Sequence, residues 1–250
     1  MSKKAKPNKS YVLLVVLIVL VAVGVAAVML WPVLSENQPK QPVQTGTTGT
    51  GSPAESQGLA EPSVNQTYYN LGYGLEITDS GKYAGLYMED GSDEIVSDVM
   101  MLVVQNSGGD DIQLAQITAL CGAEEYHFTL TNLAAGQRAV LLEQERKPAA
   151  ELASAVLDTC VPFGTPMSLH EDVLQVSGLD GMLNVMNISD ADIEGDIYVY
   201  YKYAARDVFY GGITFRVRIE GGLKAGEIRQ IPAGHYDKDS CAVIQVTIYE

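Results

Sequence analysis

Residues 187–227 read NISDADIEGDIYVYYKYAARDVFYGGITFRVRIEGGLKAGE, and this stretch decides the fold class. It contains two segments rich in Tyr, Val, Ile and Phe, Ile193–Tyr203 and Val208–Ile219, with a short polar turn between them. β-Branched and aromatic residues bounded by turn-forming residues are typical of paired strands. The stretch therefore predicts an antiparallel hairpin and an all-β fold.

Segments of the same kind recur from residue 67 to the end of the sequence. In the first half, Asp79-Ser80-Gly81 is interpreted as a hairpin turn between Tyr69–Thr78 and Lys82–Met88. Regular short strands with polar turns favour a β-sandwich. One segment, Ala149–Leu157 (AAELASAVL), is predicted to be a helix instead. The other predicted strands are Val96–Gln105, Ile112–Leu120, Tyr126–Leu130, Arg138–Glu143, Val173–Val176, Met182–Met186, Glu227–Ile231 and Ala242–Tyr249.

The two halves of this β-rich region share an order of motifs. An Asn and an Ile six positions apart enclose a polar turn at 106–112 and again at 187–193. Each turn follows an apolar strand, and each is followed by a Leu-x-Ala-Gly turn, at 133–136 and at 223–226. The shared order predicts an internal duplication and therefore two related sandwiches.

The second half resembles a class of bacterial modules. Asn187-Ile-Ser-Asp-Ala-Asp-Ile193, Val199-Tyr-Tyr201 and Leu223-Lys-Ala-Gly-Glu227 resemble the FxLYD-type and cell-adhesion-related immunoglobulin-like modules of membrane-anchored surface proteins. The resemblance covers residues 173–250 best and residues 94–144 less well, and the Phe-x-Leu-Tyr-Asp string is absent. It implies an immunoglobulin-like fold and an extracytoplasmic role, and it carries no active site.

A membrane segment is predicted near the N-terminus. Tyr11 to Trp31 form an uncharged run of 21 residues, which as a helix would span roughly 30 Å, the thickness of the hydrocarbon core. Four lysines precede the run, and the first base after it is Lys40. The positive-inside rule then places the N-terminus in the cytoplasm and residues 32–250 outside the plasma membrane. Small residues within the run leave a cleaved signal peptide as the alternative.

These observations predict a single transmembrane α-helix followed by an all-β ectodomain of tandem immunoglobulin-like β-sandwiches. The linker is rich in Gly, Thr, Ser, Gln and Pro, which is typical of a disordered tether. The predicted segments are a basic cytoplasmic tail (1–10), the transmembrane helix (11–31), the linker (32–66), the first sandwich (67–147), a connecting segment with a short helix (148–172) and the second sandwich (173–250).

Charge and motif content restrict the classes of function. All 31 acidic residues and 12 of the 16 basic residues follow residue 31, so the ectodomain would repel nucleic acid. His127, His170 and His235 lack the spacing of a zinc site, and no nucleophile elbow, P-loop or dinucleotide fingerprint is present. The sequence therefore predicts neither an enzyme nor a bound cofactor.

An acidic string in the second half suggests a weak calcium site. Asp190, Asp192, Glu194 and Asp196 carry oxygen ligands at a spacing that imitates a calcium-binding loop. Tyr201 occupies the position at which such a loop requires a bidentate Glu. The alternative is a solvated polar turn that leads into a strand.

The cysteines are three, an odd number for an oxidising compartment. A disulfide between Cys121 and Cys160 would close a loop of about 40 residues and stabilise the fold by a few kcal/mol. Three buried thiols are the alternative, which the odd number slightly favours, because a disulfide framework rarely leaves one thiol over.

Tyrosine is unusually frequent, with 14 residues against 4 Phe and 1 Trp. Alternation along a strand places Tyr198 and Tyr200 on one face and Tyr201 and Tyr203 on the other, with Tyr210 in the next strand. One set should be core, and the other would form a surface suited to contacts with a protein or a glycan. The predicted function is a non-catalytic role in binding, adhesion or assembly. The alternative is an accessory or sensor subunit of a cell-envelope machine.

Overall fold

The structure is a computed structural model that describes residues 63–65, as backbone, and residues 69–249. The predicted tail, the predicted transmembrane segment and the linker up to residue 62 lie outside the described residues. Within them the chain is all-β, and none of them belongs to a helix long and apolar enough to cross a membrane. The strands are β1 Ser63–Asn65, β2 Tyr69–Gly72, β3 Leu75–Tyr87, β4 Glu94–Asn106, β5 Ile112–Cys121, β6 Glu124–Leu133, β7 Arg138–Leu142, β8 Leu152–Pro162, β9 Leu174–Leu179, β10 Met182–Asn187, β11 Asp196–Ala205, β12 Val208–Ile219, β13 Ile228–Pro232 and β14 Cys241–Tyr249.

The strands form one large sheet and two small ones. The large sheet has the order β1-β3-β4-β7-β12-β11-β14, and β2 also pairs with β3. The small sheets have the orders β6-β5-β8 and β13-β10-β9. The parallel pairing of β7 with β12, through Arg138–Val140 and Val208–Tyr210, carries the large sheet across both halves of the sequence. The boundaries of the two predicted sandwiches, 67–147 and 173–250, stay a prediction.

The large sheet is buried on both faces around β4. Along β4, Met100 and Leu102 belong to a cluster shared with β5 and β6, whereas Met101 and Val103 belong to a cluster shared with Tyr83 and Tyr210. Because successive side chains of a strand point to opposite faces, these clusters lie on opposite sides of the sheet. A third cluster joins β11 and β14 to β9 and β10.

The predicted helix at Ala149–Leu157 is wrong, because most of this segment belongs to strand β8. β8 pairs antiparallel with β5, and Ala155, Leu157 and Cys160 pack against the core beneath that sheet. Ala and Leu are strong helix formers, but helix propensity amounts to less than about 1 kcal/mol per residue, and burial against an existing strand outweighs it here. The segment assigned to a connection therefore supplies a strand to the sheet of the first half.

The predicted hairpin turn at Asp79-Ser80-Gly81 is also wrong. β3 runs through these residues, and Ser80 pairs with Leu102 of β4 on one side and with Asn65 of β1 on the other. Pairing on both edges overrides the turn preference of the three residues. The same pairing shows that the last part of the predicted linker, Ser63–Asn65, is a strand.

The two asparagine turns have the same hydrogen bonds. The Asn106 side-chain amide donates to the carbonyls of Asp110 and Leu133, and that of Asn187 donates to those of Ala191 and Leu223. Both asparagines are fully buried. Each amide therefore satisfies the backbone of its own turn and of the Leu-x-Ala-Gly turn beside it.

Candidate binding surface

The structure divides the five predicted surface tyrosines. Tyr201, Tyr203 and Tyr210 are buried, with 2%, 7% and 8% of their surface exposed, so the prediction that they could form a binding surface is wrong for these three. Tyr198 and Tyr200 lie on the opposite face of β11 and are half-buried. Alternation along the strand is the physical reason, because it sends one pair into the core.

Three further residues complete the open face, and the sequence did not single them out. The register places Arg218 of β12 opposite Tyr198 and Arg216 opposite Tyr200. The Tyr249 ring meets the Tyr198 ring edge-on, with centroids 5.4 Å apart. The guanidinium carbons of Arg216 and Arg218 lie 5.0 and 5.9 Å from the Tyr198 centroid. We call Tyr198, Tyr200, Arg216, Arg218 and Tyr249 the tyrosine–arginine face.

The two arginines of this face differ in their partners. Arg218 forms ion pairs with Asp196 at 2.5 Å and with Glu220 at 3.3 Å. The Gly221 N–H and the Arg218 guanidinium hold the pKa of Asp196 below its usual value. The Arg216 side chain is exposed and forms no hydrogen bond or ion pair with the side chains of the described residues. Its guanidinium lies over the Tyr198 ring.

A buried ion network fixes β12 beside this face. Four residues of β12, 211–214, bulge opposite the single residue Lys202 of β11. The Lys202 ammonium is fully buried and donates to the carbonyls of Gly212 at 2.8 Å and Ile213 at 2.9 Å. The Glu89 carboxylate accepts hydrogen bonds from the N–H groups of Gly212 and Ile213 and from that of Leu142. Both the N–H groups and the carbonyl groups of Gly212 and Ile213 are therefore hydrogen-bonded to the Glu89 and Lys202 side chains.

Burial opposes ionisation on both sides of this network. It lowers the pKa of Lys202 to about 7, and the negative charge of Glu89 works against that shift. It raises the pKa of Glu89, while the N–H donors and Lys202 work against that shift. Gly212 is required here because a β-carbon would lie 1.7 Å from the Thr129 carbonyl oxygen. The network is structural, since its ammonium does not reach solvent.

A second polar cluster joins the β3–β4 loop to the β13–β14 loop. His235 Nδ1 lies 2.8 Å from Asp93 Oδ2, and the His235 ring stacks on Phe215 with centroids 4.6 Å apart. Cys241 Sγ donates to the His235 carbonyl at 3.5 Å. Burial raises the pKa of Cys241 to about 11, so its thiol stays protonated at neutral pH. This cluster ties the two halves together.

The structure does not bring the four predicted calcium ligands together. Asp196 is occupied by Arg218 and by the N–H of Gly221, and Asp192 accepts a hydrogen bond from the N–H of Ala225 at 2.9 Å. Asp190 and Glu194 are exposed. Among residues 63–65 and 69–249, no group of three or more His, Cys, Asp or Glu side chains could hold a metal ion.

Of the two alternatives for the cysteines, the disulfide between Cys121 and Cys160 does not form in the structure. Cys160 of β8 lies opposite Ala115 of β5, and Cys121 lies opposite Leu152. Six residues of strand separate Ala115 from Cys121, a distance of about 20 Å, whereas a disulfide requires Cα atoms within about 7 Å. All three cysteines are free thiols.

Comparisons with known proteins give no relative. No family model matches the chain, and neither a curated protein nor a solved structure does.

Proposed function

We propose that this protein is anchored in the plasma membrane by residues 11–31 and binds a partner outside the cell without catalysis, through an immunoglobulin-like β-domain. The tyrosine–arginine face is the observation that carries the proposal. Tyr and Arg are the residue types that dominate the energetic centres of protein interfaces. Here they are assembled on a rigid sheet, so little side-chain freedom would be lost on binding.

The rigidity of the face comes from its position in the large sheet. β11, which carries Tyr198 and Tyr200, is paired on both edges, with β12 and with β14. The Lys202–Glu89 network fixes the bulge that precedes Arg216. Binding groups supported by paired strands hold their geometry better than groups on loops.

Photo-crosslinking in the native cell tests the binding role. A photoreactive residue in place of Tyr200 should give a discrete crosslinked partner that mass spectrometry identifies. The same residue in place of Val156, which is 56% exposed on β8, is the matched control and should give none. Equal crosslinking at both positions, or crosslinking at neither, would contradict a role for this face.

The extracytoplasmic placement is tested separately. Protease added to intact cells should digest residues 32–250 and leave a small membrane-bound fragment. Protection of the β-domain would overturn the orientation. A mature chain that begins near residues 28–36 would replace the anchor with a cleaved signal peptide.

We also propose that the two halves arose by duplication, as the FxLYD-type resemblance and the shared motif order suggest. The matching hydrogen bonds of Asn106 and Asn187 support it. Asn106→Ala and Asn187→Ala should each lower the free energy of unfolding by about 1–3 kcal/mol, because each substitution leaves buried backbone carbonyls without a hydrogen-bond donor. If one substitution lowers the free energy of unfolding and the other leaves it unchanged, the two turns are not equivalent.

A further inference from the structure

We infer that the tyrosine–arginine face binds an acidic, partly apolar peptide segment of a partner protein, with Arg216 as the carboxylate-binding residue. The inference rests on the proposed function and narrows the chemistry of its partner. Arg216 is exposed and has no carboxylate partner among the described residues, although the chain carries 31 acidic and only 16 basic residues.

The position of Arg216 favours a negative charge on the partner. Its guanidinium lies over Tyr198, beside Tyr200 and within reach of the Tyr198–Tyr249 pair. A partner that covers these rings therefore covers Arg216 as well. Removing an unpaired guanidinium from water costs several kcal/mol, and a carboxylate on the partner offsets this cost best, because it adds charge attraction to the hydrogen bonds.

The exposure of Arg216 also suits a carboxylate. Its guanidinium carbon lies 5.0 Å from the Tyr198 centroid, and an exposed guanidinium can donate two parallel hydrogen bonds to a carboxylate. Arg218 does not offer the same opportunity, because Asp196 and Glu220 already bind it. Among residues 69–249, one of the two arginines is thus paired with carboxylates and the other is not.

The rings select a peptide over a purely anionic polymer. The face carries three tyrosine rings, of which Tyr198 contacts both Tyr249 and Arg216, so aromatic groups outnumber the one arginine without a described carboxylate partner. Tyr249 is 57% exposed and offers its ring to apolar groups. Polyphosphate has no apolar groups to cover the rings, and a polyuronate covers them only with sugar C–H groups, whereas a peptide with alternating acidic and aromatic residues supplies carboxylates and apolar side chains together. Side chains on one side of such a peptide repeat every 6–7 Å, which matches the spacing of residues along β12.

The test uses the full-length chain in lipid nanodiscs and a fluorescent peptide, Glu-Phe-Glu-Gly-Glu-Phe-Glu-Gly, followed by anisotropy. The same peptide with Gln for Glu should bind roughly tenfold more weakly, as for the loss of one charge-assisted contact. Arg216→Gln should weaken binding of the Glu peptide by roughly the same factor and leave binding of the Gln peptide unchanged.

Lys82→Gln is the matched control, because it removes one exposed positive charge from β3, which lies at the other side of the large sheet. It should leave binding of the Glu peptide unchanged. An equal loss in Lys82→Gln and Arg216→Gln would show general charge attraction and overturn the inference.

Two further ligands separate the classes of partner. Arg216-dependent binding of oligogalacturonate or polyphosphate, without binding of the Glu peptide, would replace the peptide with an anionic polymer. If no ligand binds while the crosslink at position 200 forms, the acidic partner is wrong and the proposed function stands. If no ligand binds and no crosslink forms at position 200, the proposed function is wrong as well.

Discussion

Two threonine hydroxyl groups differ in their hydrogen bonding and should therefore affect the stability of the fold in opposite directions. Thr247 of β14 has a buried hydroxyl without a hydrogen-bond partner among the described residues, whereas the Thr131 hydroxyl donates to the Gly212 carbonyl at 3.0 Å. An unsatisfied buried polar group costs about 1–3 kcal/mol. Thr247→Val should therefore raise the free energy of unfolding by about 1 kcal/mol, and Thr131→Val should lower it by a similar amount. Urea denaturation measures both, and destabilisation by Thr247→Val would contradict the assignment.

Buried tyrosines predict a loss of stability at alkaline pH. Burial raises the pKa of Tyr87 to about 12 and that of Tyr201 to about 12, from an ordinary value of 10. A pKa that is raised in the folded state gives stability that is fully present below pH 10 and is lost as the pH rises toward 12. The free energy of unfolding, measured by urea denaturation at each pH, should therefore fall between pH 10 and pH 12.

Tyr201→Phe provides the comparison, because it removes one of these phenols and keeps the ring. The variant should lose less stability between pH 10 and pH 12 than the natural chain does. If the free energy of unfolding falls equally with pH in the two proteins, folding does not raise the pKa of Tyr201.

The pairing of β5 with β8 explains why local sequence misjudged a strand and why the disulfide alternative does not form. AAELASAVL favours a helix, and Cys121 and Cys160 lie at a separation that a disulfide loop could close. Both interpretations treat 149–160 as a segment by itself. The register with β5 instead buries alternate residues of β8 and sets the two cysteines six positions apart.

This register predicts the number of free thiols. Full-length protein purified without reductant should have three titratable thiols after denaturation, and reductant should not change its melting temperature. Ala115→Cys places a thiol opposite Cys160, where paired strands hold Cα atoms about 4.5–5.5 Å apart. Oxidised Ala115→Cys should therefore lose two thiols. Loss of two thiols in the natural chain would show that the register is wrong.

At the scale of the whole molecule, the β7–β12 pairing unites the two halves of the sequence. Asp93 with His235, Glu89 with Gly212 and Asn132 with Gln245 add side-chain contacts across the same division. The halves share one sheet, so neither can lose its structure without exposing the edge of the other. The β-domain should therefore unfold in one step.

Cooperative unfolding is measured by circular dichroism and by tyrosine fluorescence on the same sample. The two probes should give coincident transitions, as expected of a single cooperative unit. Two separated transitions would show that the halves are independent sandwiches. Gly212→Ala, which places a β-carbon against Thr129, should shift both probes together to a lower midpoint.

The sequence by itself was sufficient for the β class, for most strands and for both asparagine turns, since alternation and turn chemistry act between near neighbours in the chain. It also separated Tyr198 and Tyr200 from Tyr201 and Tyr203, because adjacent residues of a strand point to opposite faces. The tertiary structure alone decided which tyrosines are exposed, that Arg216 and Tyr249 join Tyr198, and that Lys202 is buried. These properties depend on which strands pair and in which register. Register is set by contacts between residues far apart in sequence, which no local pattern contains.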